Sequence, residues 1–472
     1  MRTKGIFRAA LAAFCFLCLP LALAWGQAAS GTVVGTVTDP SQAVIPGAQV
    51  FVTNTATGVV SLGQTDKNGH FEVDNLQIGS YAVTVSHSGF QKTTTQAQTL
   101  QINQTLNFKI SLPLGASTQS VTVEAAVAGV ETRNVTVGTT ITGDSIHDLP
   151  LNGRDVLSLA ELQPGVTPAN PAVGGFSVAG GRPDSITYLL NGGMDNDLLD
   201  NGVVFNPNPD AVQEFRLLTS NYTAEYGRNG AGVISIEIKP GTNQYHGSAF
   251  DFVRNGDLNA NDFFRNLNGV ARDQLKRNQF GGTIGGPITI PHVVNGANKL
   301  FFFASYQGQR QSDVQFQNQT PTFTPAELNG DYSQAGPNGG PDPGVAAFLQ
   351  ANPFFALDGG ADAKIDPAKI NPVAANFIKA GLIPTDPSGL INSVGSAQDN
   401  NNQTLGRVDY DPGSRDRFTL TVGGTRERRL IPFPGNTNVG GWPDATTNYS
   451  YYTGIGQVHT FSPAVVNEFH FT

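Results

Sequence analysis

Side-chain polarity alternates with a period of two in many parts of this chain, and turn residues separate the alternating runs. In residues 279–288, Phe280 and Ile284 alternate with polar and small residues, and residues 417–422 repeat the pattern with Leu420. A period of two is typical of β-strands. The 55 glycines and 29 prolines of the 472 residues supply many turns. The sequence therefore predicts a mainly β chain.

The first 28 residues have the pattern of a secretory signal peptide. Three basic residues occur within the first eight, an uncharged apolar stretch spans 9–24, and Ala22 and Ala24 offer a small-residue cleavage site. A membrane anchor is the alternative reading. The apolar run is shorter than the about 20 residues of a spanning helix, and Pro20 interrupts it. We therefore expect residues 1–28 to be removed on export.

The cysteine content and the net charge exclude several classes of site. Cys15 and Cys18, the only cysteines of the sequence, both lie in the predicted signal peptide. The exported chain is thus expected to have no disulfide, no cysteine-ligated zinc and no thiol nucleophile. The formal net charge is −9. An acidic chain is a poor partner for nucleic acid, since phosphate contacts dominate that binding.

Residues 29–112 are predicted to form one small β-sandwich. Short alternating runs are separated by turn signals such as Asn68-Gly69 and Ser88-Gly89. The motifs GTVTD at 35–39, PGAQV at 46–50 and TDKNGHF at 65–71 resemble the carboxypeptidase regulatory-like domain. That resemblance implies an immunoglobulin/transthyretin-like fold and an accessory role without catalytic machinery.

Residues 129–240 contain the most specific series of motifs in the chain. They are DLPLNGRD at 148–155, YLLNG at 188–192, YTAEYGR at 222–228 and VISIEIKPGT at 233–242. In this order they resemble the α+β plug domain of TonB-dependent outer-membrane receptors, and the preceding accessory domain resembles the Oar-like branch. Asn191 stands where the usual family pattern has Asp.

The linker 113–128 contains a candidate energy-coupling segment, the TonB box. An extended segment with alternating polarity can add itself as a strand to the sheet edge of a partner. The receptor resemblance implies such a segment and a TonB-type partner. A plain linker strand is an equally good interpretation. The candidate residues are Ser120, Val121, Thr122, Val123, Glu124 and Ala125.

Residues 241–472 are predicted to begin a transmembrane antiparallel β-barrel. Apolar residues that face outward and small or polar residues that face inward give the alternation of such a barrel, although a soluble β-sandwich also alternates. The polar stretch 311–402 is predicted to be a long external loop, with helix-like pieces at 345–349 and 373–380. Family barrels have about 22 strands, and residues 241–472 hold fewer. We therefore expect either a fragment or a product that is not an autonomous transporter.

No catalytic, cofactor or metal site is predicted. Residues 175–179 around Ser177 approach a nucleophile elbow but lack its final glycine. Asp195, Asp197 and Asp200 do not match the spacing of a calcium loop, so a solvated loop is the better interpretation. An envelope hydrolase at Ser177 is the weakest functional hypothesis, and we expect no enzyme.

The favoured functional hypothesis is a TonB-dependent outer-membrane receptor for energy-coupled uptake, with its N-terminal domain in the periplasm. Its expected partners are a TonB-type protein, outer-membrane lipid and an unidentified small-molecule, glycan or peptide ligand, and no nucleic acid. The alternative is a cell-surface binding or adhesion protein without transport, which the polar 311–402 stretch would suit.

Overall fold

The computed structural model describes residues 30–102, 104–115, 120–123, 137–168, 175–222, 226–261, 263–267, 272, 274–434, 443–462 and 465–472. These residues form an N-terminal sandwich, a central domain and a seven-stranded antiparallel sheet. The prediction of a mainly β chain is confirmed. The predicted signal peptide lies outside the described residues, as do Glu124 and Ala125 of the candidate TonB box.

The N-terminal sandwich consists of two sheets. Its strands are β1 (Gly31–Thr38), β2 (Gln49–Asn54), β3 (Val60–Gln64), β4 (His70–Leu76), β5 (Gly79–Ser86), β6 (Lys92–Thr95), β7 (Gln98–Leu100) and β8 (Thr105–Ser111). One sheet has the order β4-β1-β8, and the other contains β3-β2-β5-β6, with β7 paired to β5. The predicted immunoglobulin-like sandwich is confirmed.

Alternating apolar residues fill the space between the two sheets. Val50 and Val52 of β2 are fully buried, whereas Gln49 of the same strand is exposed. Gly35 in the GTVTD motif is required by packing, because a Cβ there would lie 2.5 Å from the Phe71 ring and 2.6 Å from the Phe108 carbonyl oxygen. Those distances are far inside van der Waals contact. The glycine of this motif therefore allows strands β1, β4 and β8 to pack closely together.

The central domain is an α+β unit built on a five-stranded sheet. It comprises β10 (Val137–Thr142), α1 (Gly143–Asp148), β11 (Val166–Pro168), β12 (Phe176–Val178), β13 (Ile186–Leu190), β14 (Gly193–Met194), β15 (Val212–Ser220), β16 (Gly232–Ile238) and 3₁₀ turns at Val156–Leu162, Pro183–Ser185 and Pro209–Ala211. The sheet order is β10-β15-β16-β13-β14, while β11 and β12 form a separate hairpin. Every residue of β13 and β16 is buried. A sheet covered on both faces explains these near-continuous apolar runs.

The seven-stranded sheet is a meander in which each long strand pairs with the next. Its strands are β17 (His246–Asn255), β18 (Lys276–Pro287), β21 (Leu300–Pro321), β22 (Leu390–Tyr410), β23 (Asp416–Ile431), β24 (Asp444–Ser462) and β25 (Val465–Phe471). A 3₁₀ turn (Gly256–Leu258) and helix α2 (Phe263–Leu267) follow β17, and a small ribbon of β19 (Thr289–Ile290) and β20 (Val294–Asn295) follows β18. In the part of the chain that the structure describes, no helix has the length and apolarity needed to cross a membrane.

The two faces of this sheet differ in their contacts. Gln307 of β21 and Gln403 of β22 hydrogen bond to the central domain. Residues an even number of positions away along each strand share that inward face. The opposite, outward face carries exposed apolar side chains, including Ile284, Leu420 and Ile455. The sheet therefore has one face on the protein interior and one apolar face on the outside.

The long connection between β21 and β22 is shorter than predicted. Strand β21 continues to Pro321 and β22 begins at Leu390, so the connection spans 322–389 rather than 311–402. The strand ends are rich in Gln, Asn, Ser and Asp, so their sequence lacks the alternation of polarity that marks the rest of the sheet, although the backbone pairing of β21 and β22 continues to Pro321 and Leu390. The connection contains α3 (Pro325–Leu328), α4 (Pro343–Ala351), α5 (Pro372–Lys379) and 3₁₀ turns at Pro337–Gly339, Pro353–Phe355 and Pro367–Lys369.

Candidate functional site at the junction of three β units

Strand β9 (Ser120–Val123) is the described part of the candidate TonB box. It pairs in parallel with β6, with Ser120 opposite Lys92 and Val123 opposite Thr95. In the described sheet β9 is the terminal strand, so its second edge carries no strand there. The segment thus has the extended form that strand addition requires. Its role in energy coupling stays a prediction.

Two charged side chains of the central domain hold the sandwich at Ile102. The Ile102 amide donates to Glu214 Oε1 at 2.8 Å, and the Arg216 guanidinium donates to the Ile102 carbonyl. Glu214 and Arg216 share one face of β15, two positions apart, and both are buried. Burial raises the pKa of Glu214 to about 7, although the Ile102 bond and the Arg216 charge act in the opposite direction. The contact therefore changes its charge near neutral pH.

The sandwich also contacts the seven-stranded sheet. Gln77 Nε2 donates to Asp409 Oδ1 at 3.1 Å, and Arg417 donates to the Asn75 carbonyl at 3.2 Å. Arg417 is held in turn by Asp411, at 3.0 Å from its Nε. The end of β4 and the residue that follows it are therefore tied to two neighbouring strands of the sheet.

A buried ion pair links the sheet to the central domain. Arg407 Nε and Nη2 donate to the two carboxylate oxygens of Asp409 at 2.8 and 2.9 Å, and Nη1 donates to the Ile238 carbonyl at 2.5 Å. The two side chains are only 6% and 2% exposed. Thr419 adds a third bond to Asp409 at 2.9 Å. A fully paired arrangement of this kind is needed to offset the desolvation of both charges.

Asn191 bridges the central domain and the sheet with both ends of its amide. Its Nδ2 donates to Thr421 Oγ1 at 2.7 Å, and its Oδ1 accepts from the Ile238 amide at 2.8 Å. An ionised Asp could accept the second bond but could not donate the first. Asn191 therefore donates a hydrogen bond to Thr421 that the Asp of the usual family pattern could not donate.

Arg154 of the DLPLNGRD motif connects the opposite side of the central domain to the sheet. It forms an ion pair with buried Asp210 and donates to Gln307 Oε1 at 3.1 Å. Its guanidinium carbon lies 4.4 and 4.2 Å from the ring centres of Phe250 and Phe252. Burial lowers the pKa of Arg154 to about 10, so the side chain stays charged at neutral pH.

A small polar cavity lies where the three units meet. It encloses about 60 Å³, room for no more than a few water-sized molecules. Burial raises the pKa of Glu237 well above its usual range, and Glu237 Oε1 has no hydrogen-bond partner among the described residues. The sandwich contributes Asn75 and Gln77, the central domain Asn191 and Glu237, and the sheet Arg407, Arg417, Tyr452, Glu468 and His470. The cavity is too small for a nutrient and forms part of the junction itself.

Comparison with known families identifies the large sheet. Residues 237–472 match the outer membrane beta barrel domain, and residues 32–113 match the carboxypeptidase regulatory-like domain. The first match covers half of the chain. The chain belongs to the outer-membrane β-barrel family. Its seven-stranded sheet is barrel wall, its outward apolar face is the membrane-facing surface, and the protein is located in the outer membrane.

Individual relatives are TonB-dependent transporters and outer-membrane receptors. The chain is 29% identical over 302 residues to the TonB-dependent transporter Oar of Myxococcus xanthus, which covers 60% of this chain and 27% of that protein. It therefore spans about a quarter of the length of that relative. The transporter YddB of Escherichia coli matches with a TM-score of 0.42 and 13% identity, over 69% of this chain and 37% of that one. The siderophore receptor PirA of Acinetobacter baumannii matches with a TM-score of 0.32 and 13% identity, over 68% and 44%.

In this outer-membrane barrel protein, the side chains of the weaker candidate sites form hydrogen bonds to backbone groups nearby. Ser177 lies on β12 and its hydroxyl donates to the Gly181 carbonyl at 2.6 Å. Asp197 and Asp200 accept bonds from backbone amides of their own loop. Asp195 is buried and accepts from the Phe205 amide at 3.1 Å, and burial raises its pKa to about 8. In the described ranges, no group of three potential metal-ligating side chains occurs.

Sequence reasoning missed the charged residues of the junction. Glu214, Arg216 and Glu237 interrupt buried strands, and Arg407 and Asp409 sit two positions apart on a barrel strand. A charge inside an otherwise apolar strand is a usable signal, because burying it requires a partner. The bonds that join the units were not readable, since Ile102, Gln77 and Ile238 lie far along the chain from the charged residues that contact them.

Proposed function

We propose that this protein is a TonB-dependent outer-membrane receptor that takes up a ligand with energy supplied from the inner membrane. In this proposal the sandwich lies in the periplasm and the central domain is the plug within the barrel. The support is the arrangement of the central domain, which lies on the inward face of the barrel wall and which an extended segment suited to strand addition precedes in the chain.

The contacts between the plug and the wall suit a domain that moves. Hydrogen bonds from Asn191, Asn208 and Arg407 join the two, together with the buried apolar side chains Phe303, Leu405 and Tyr452 of the wall. Water can replace hydrogen bonds when a channel opens, whereas a large apolar interface would resist hydration. A shift of the plug would exchange the hydrogen bonds for bonds to water and would uncover Phe303, Leu405 and Tyr452.

The position of β9 suggests how a pull would reach the plug. Strand β9 follows the last strand of the sandwich and precedes the first strand of the plug in the chain. A TonB-type protein that pairs with residues 120–125 would pull on the segment that leads into β10. The proposed ligand is a small molecule, a glycan or a peptide, and the connection 322–389 is the proposed external contact region.

Disulfide cross-linking would test the coupling segment directly. The only cysteines of the sequence lie within residues 1–28, so an introduced cysteine is unique in the exported chain. We expect Val121→Cys to cross-link in cells to single-cysteine variants of the TonB-type protein. Ser111→Cys, at an exposed position at the end of β8, is the matched control and should not cross-link.

Deletion of residues 120–125 complements the cross-linking. The deletion is expected to abolish uptake and to leave outer-membrane abundance unchanged. If Val121→Cys and Ser111→Cys cross-link equally, or if uptake survives the deletion, the coupling role of this segment is refuted. Tight binding of a surface ligand by a protein whose deletion changes no uptake would instead favour the adhesion hypothesis.

A further inference from the structure

Three arginines line a cleft on the outward face of the barrel wall. Arg310 of β21 and Arg426 and Arg428 of β23 surround Asn400 and Asn402 of β22, and the cleft encloses about 170 Å³. Asn400 is directly opposite both Arg310 and Arg428, and Asn402 is directly opposite Arg426. Directly opposed residues point to the same side of a sheet. All five side chains therefore belong to one face.

The register shows that this face is the outward one. Gln307 and Gln403 contact the central domain, and Arg310 and Asn402 are an odd number of positions away from them on the same strands. Odd spacing reverses the side of the sheet. In agreement, Arg310, Arg426 and Arg428 are all exposed.

The positive charge of the cleft has no carboxylate to neutralise it. Among the described residues, none of the three arginines forms an ion pair. Arg310 donates to the Gln309 and Asn401 carbonyls at 2.7 and 3.0 Å and to Asn402 Oδ1 at 2.8 Å, which orients the guanidinium without cancelling its charge. The nearby acid Glu427 points inward, in odd register to Arg426 and Arg428, and accepts from Asn448 at 2.9 Å.

Aromatic side chains mark the level of the cleft in the membrane. The Arg310 guanidinium carbon lies 5.7 Å from the Phe280 ring centre, and that of Arg426 lies 5.7 Å from the Tyr449 ring centre. Nearer the junction, the outward face carries exposed apolar residues such as Val422 and Ile455. Aromatic belts lie at the boundary between the hydrocarbon core and the headgroups. The arginines are therefore at headgroup level.

The connections identify which leaflet this is. Residues 411–415 form a short turn at the junction end of the sheet, whereas 322–389 is the long connection at the opposite end. Outer-membrane barrels have short periplasmic turns and long external loops. The arginines lie toward the end with the long connection, so they face the outer leaflet.

We propose that this cleft binds a phosphoryl group of an outer-leaflet lipid. Guanidinium groups recognise phosphate oxygens through paired hydrogen bonds. Strand spacing of about 4.8 Å places Arg310 and Arg428, two strands apart, about 10 Å from each other, a span suited to one or two phosphoryl groups. The exposed apolar surface below the arginines would contact the acyl chains, so a lipid fits the site better than free phosphate.

Lipid binding by the purified full chain in a neutral detergent would test the site. Native mass spectrometry would measure retention of lipid A, a diphosphorylated glycolipid, against its dephosphorylated form and against inorganic phosphate. We expect the wild type to retain lipid A, and Arg426→Gln/Arg428→Gln to bind it at least about tenfold more weakly, since two charge-assisted contacts are lost. Neither other compound should be retained.

The matched control removes the same charge elsewhere. Arg415→Gln/Arg429→Gln changes one exposed arginine in a short turn and one inward-facing arginine of β23, and should bind lipid A like the wild type. Arg426→Lys/Arg428→Lys keeps the charge and should retain part of the affinity, which separates lost binding from misfolding. Equal loss in both glutamine variants, or retention of dephosphorylated lipid as strong as that of lipid A, would overturn the proposal. Competition by inorganic phosphate at equal concentration would show a free-anion site and would also overturn it.

Discussion

Arg407 of the barrel wall donates a hydrogen bond to the carbonyl oxygen of Ile238, the last residue of strand β16 in the central domain. The same guanidinium is held on its other side by Asp409, and Asp409 in turn accepts a bond from Gln77 of the sandwich. One buried pair thus contacts all three units. Changes at this pair should alter how the units are held together.

Removing the arginine of this pair should strongly destabilise the protein. Arg407→Ala leaves the buried Asp409 carboxylate without its charged partner, which costs about 3–5 kcal/mol for buried pairs. Urea unfolding of the protein in detergent, followed by circular dichroism, would measure the loss. Arg407→Ala/Asp409→Ala should lose less than the two single variants together.

An exposed ion pair supplies the control for that experiment. Arg182 and Asp184 are 81% and 44% exposed, so Arg182→Ala should cost about 0–1 kcal/mol. Equal losses from Arg182→Ala and Arg407→Ala would show that burial of the Arg407–Asp409 pair has no energetic consequence.

The stability of the folded protein should fall as the pH rises through the titration of buried Glu214, because burial disfavours its charged form. The pKa of this carboxyl is about 7 in the folded protein against an ordinary 4.5. The folded state therefore holds a proton that the unfolded state has released between these values, and stability falls as the pH rises through this window. The contribution is at most about 3 kcal/mol. Glu214→Gln should flatten the pH dependence of the urea midpoint between pH 4.5 and 7.

An exposed carboxylate shows whether the pH effect is specific to this contact. Glu161 is on the surface of the central domain, and Glu161→Gln removes one carboxylate without touching Ile102. It should leave the wild-type pH dependence intact. A midpoint that rises with pH in the wild type between pH 4.5 and 7 would contradict the prediction.

Restoring the usual family residue at position 191 should weaken the attachment of the central domain. Asn191→Asp replaces the amide donor by a carboxylate oxygen, so the Thr421 hydroxyl has to turn and donate, and a charge is placed in a part-buried contact, a loss of about 1–3 kcal/mol. The backbone φ of 48° at this position is tolerated by Asp as well as Asn, so strain does not enter. In the Thr421→Val background the carboxylate lacks the hydroxyl donor, and the same substitution should cost more. An equal cost in both backgrounds would place the effect elsewhere.

The β units were predictable from the sequence, and the junction between them was not. The polarity of the side chains alternates along β2 and β23 because one face of each strand is covered. Gly35 is glycine because neighbouring strands approach it closely. Such signals are local in the chain. The bonds of Ile102 to Glu214 and of Gln77 to Asp409 join residues 112 and 332 positions apart. No period or spacing encodes such pairs, so only the folded chain shows them.

Locking β9 onto the sandwich should block its availability to a partner. Thr94 and Thr122 are directly opposite in the parallel β6–β9 pair, and neighbouring strands are about 4.8 Å apart, within the Cα separation that a disulfide spans. Oxidised Thr94→Cys/Thr122→Cys should lose cross-linking of the TonB-type protein to a non-thiol photocrosslinker placed at position 124, and reduction should restore it. Thr94→Cys alone should behave like the wild type under both conditions. If the oxidised double variant cross-links as well as the reduced one, release of β9 from the sandwich is not part of partner binding.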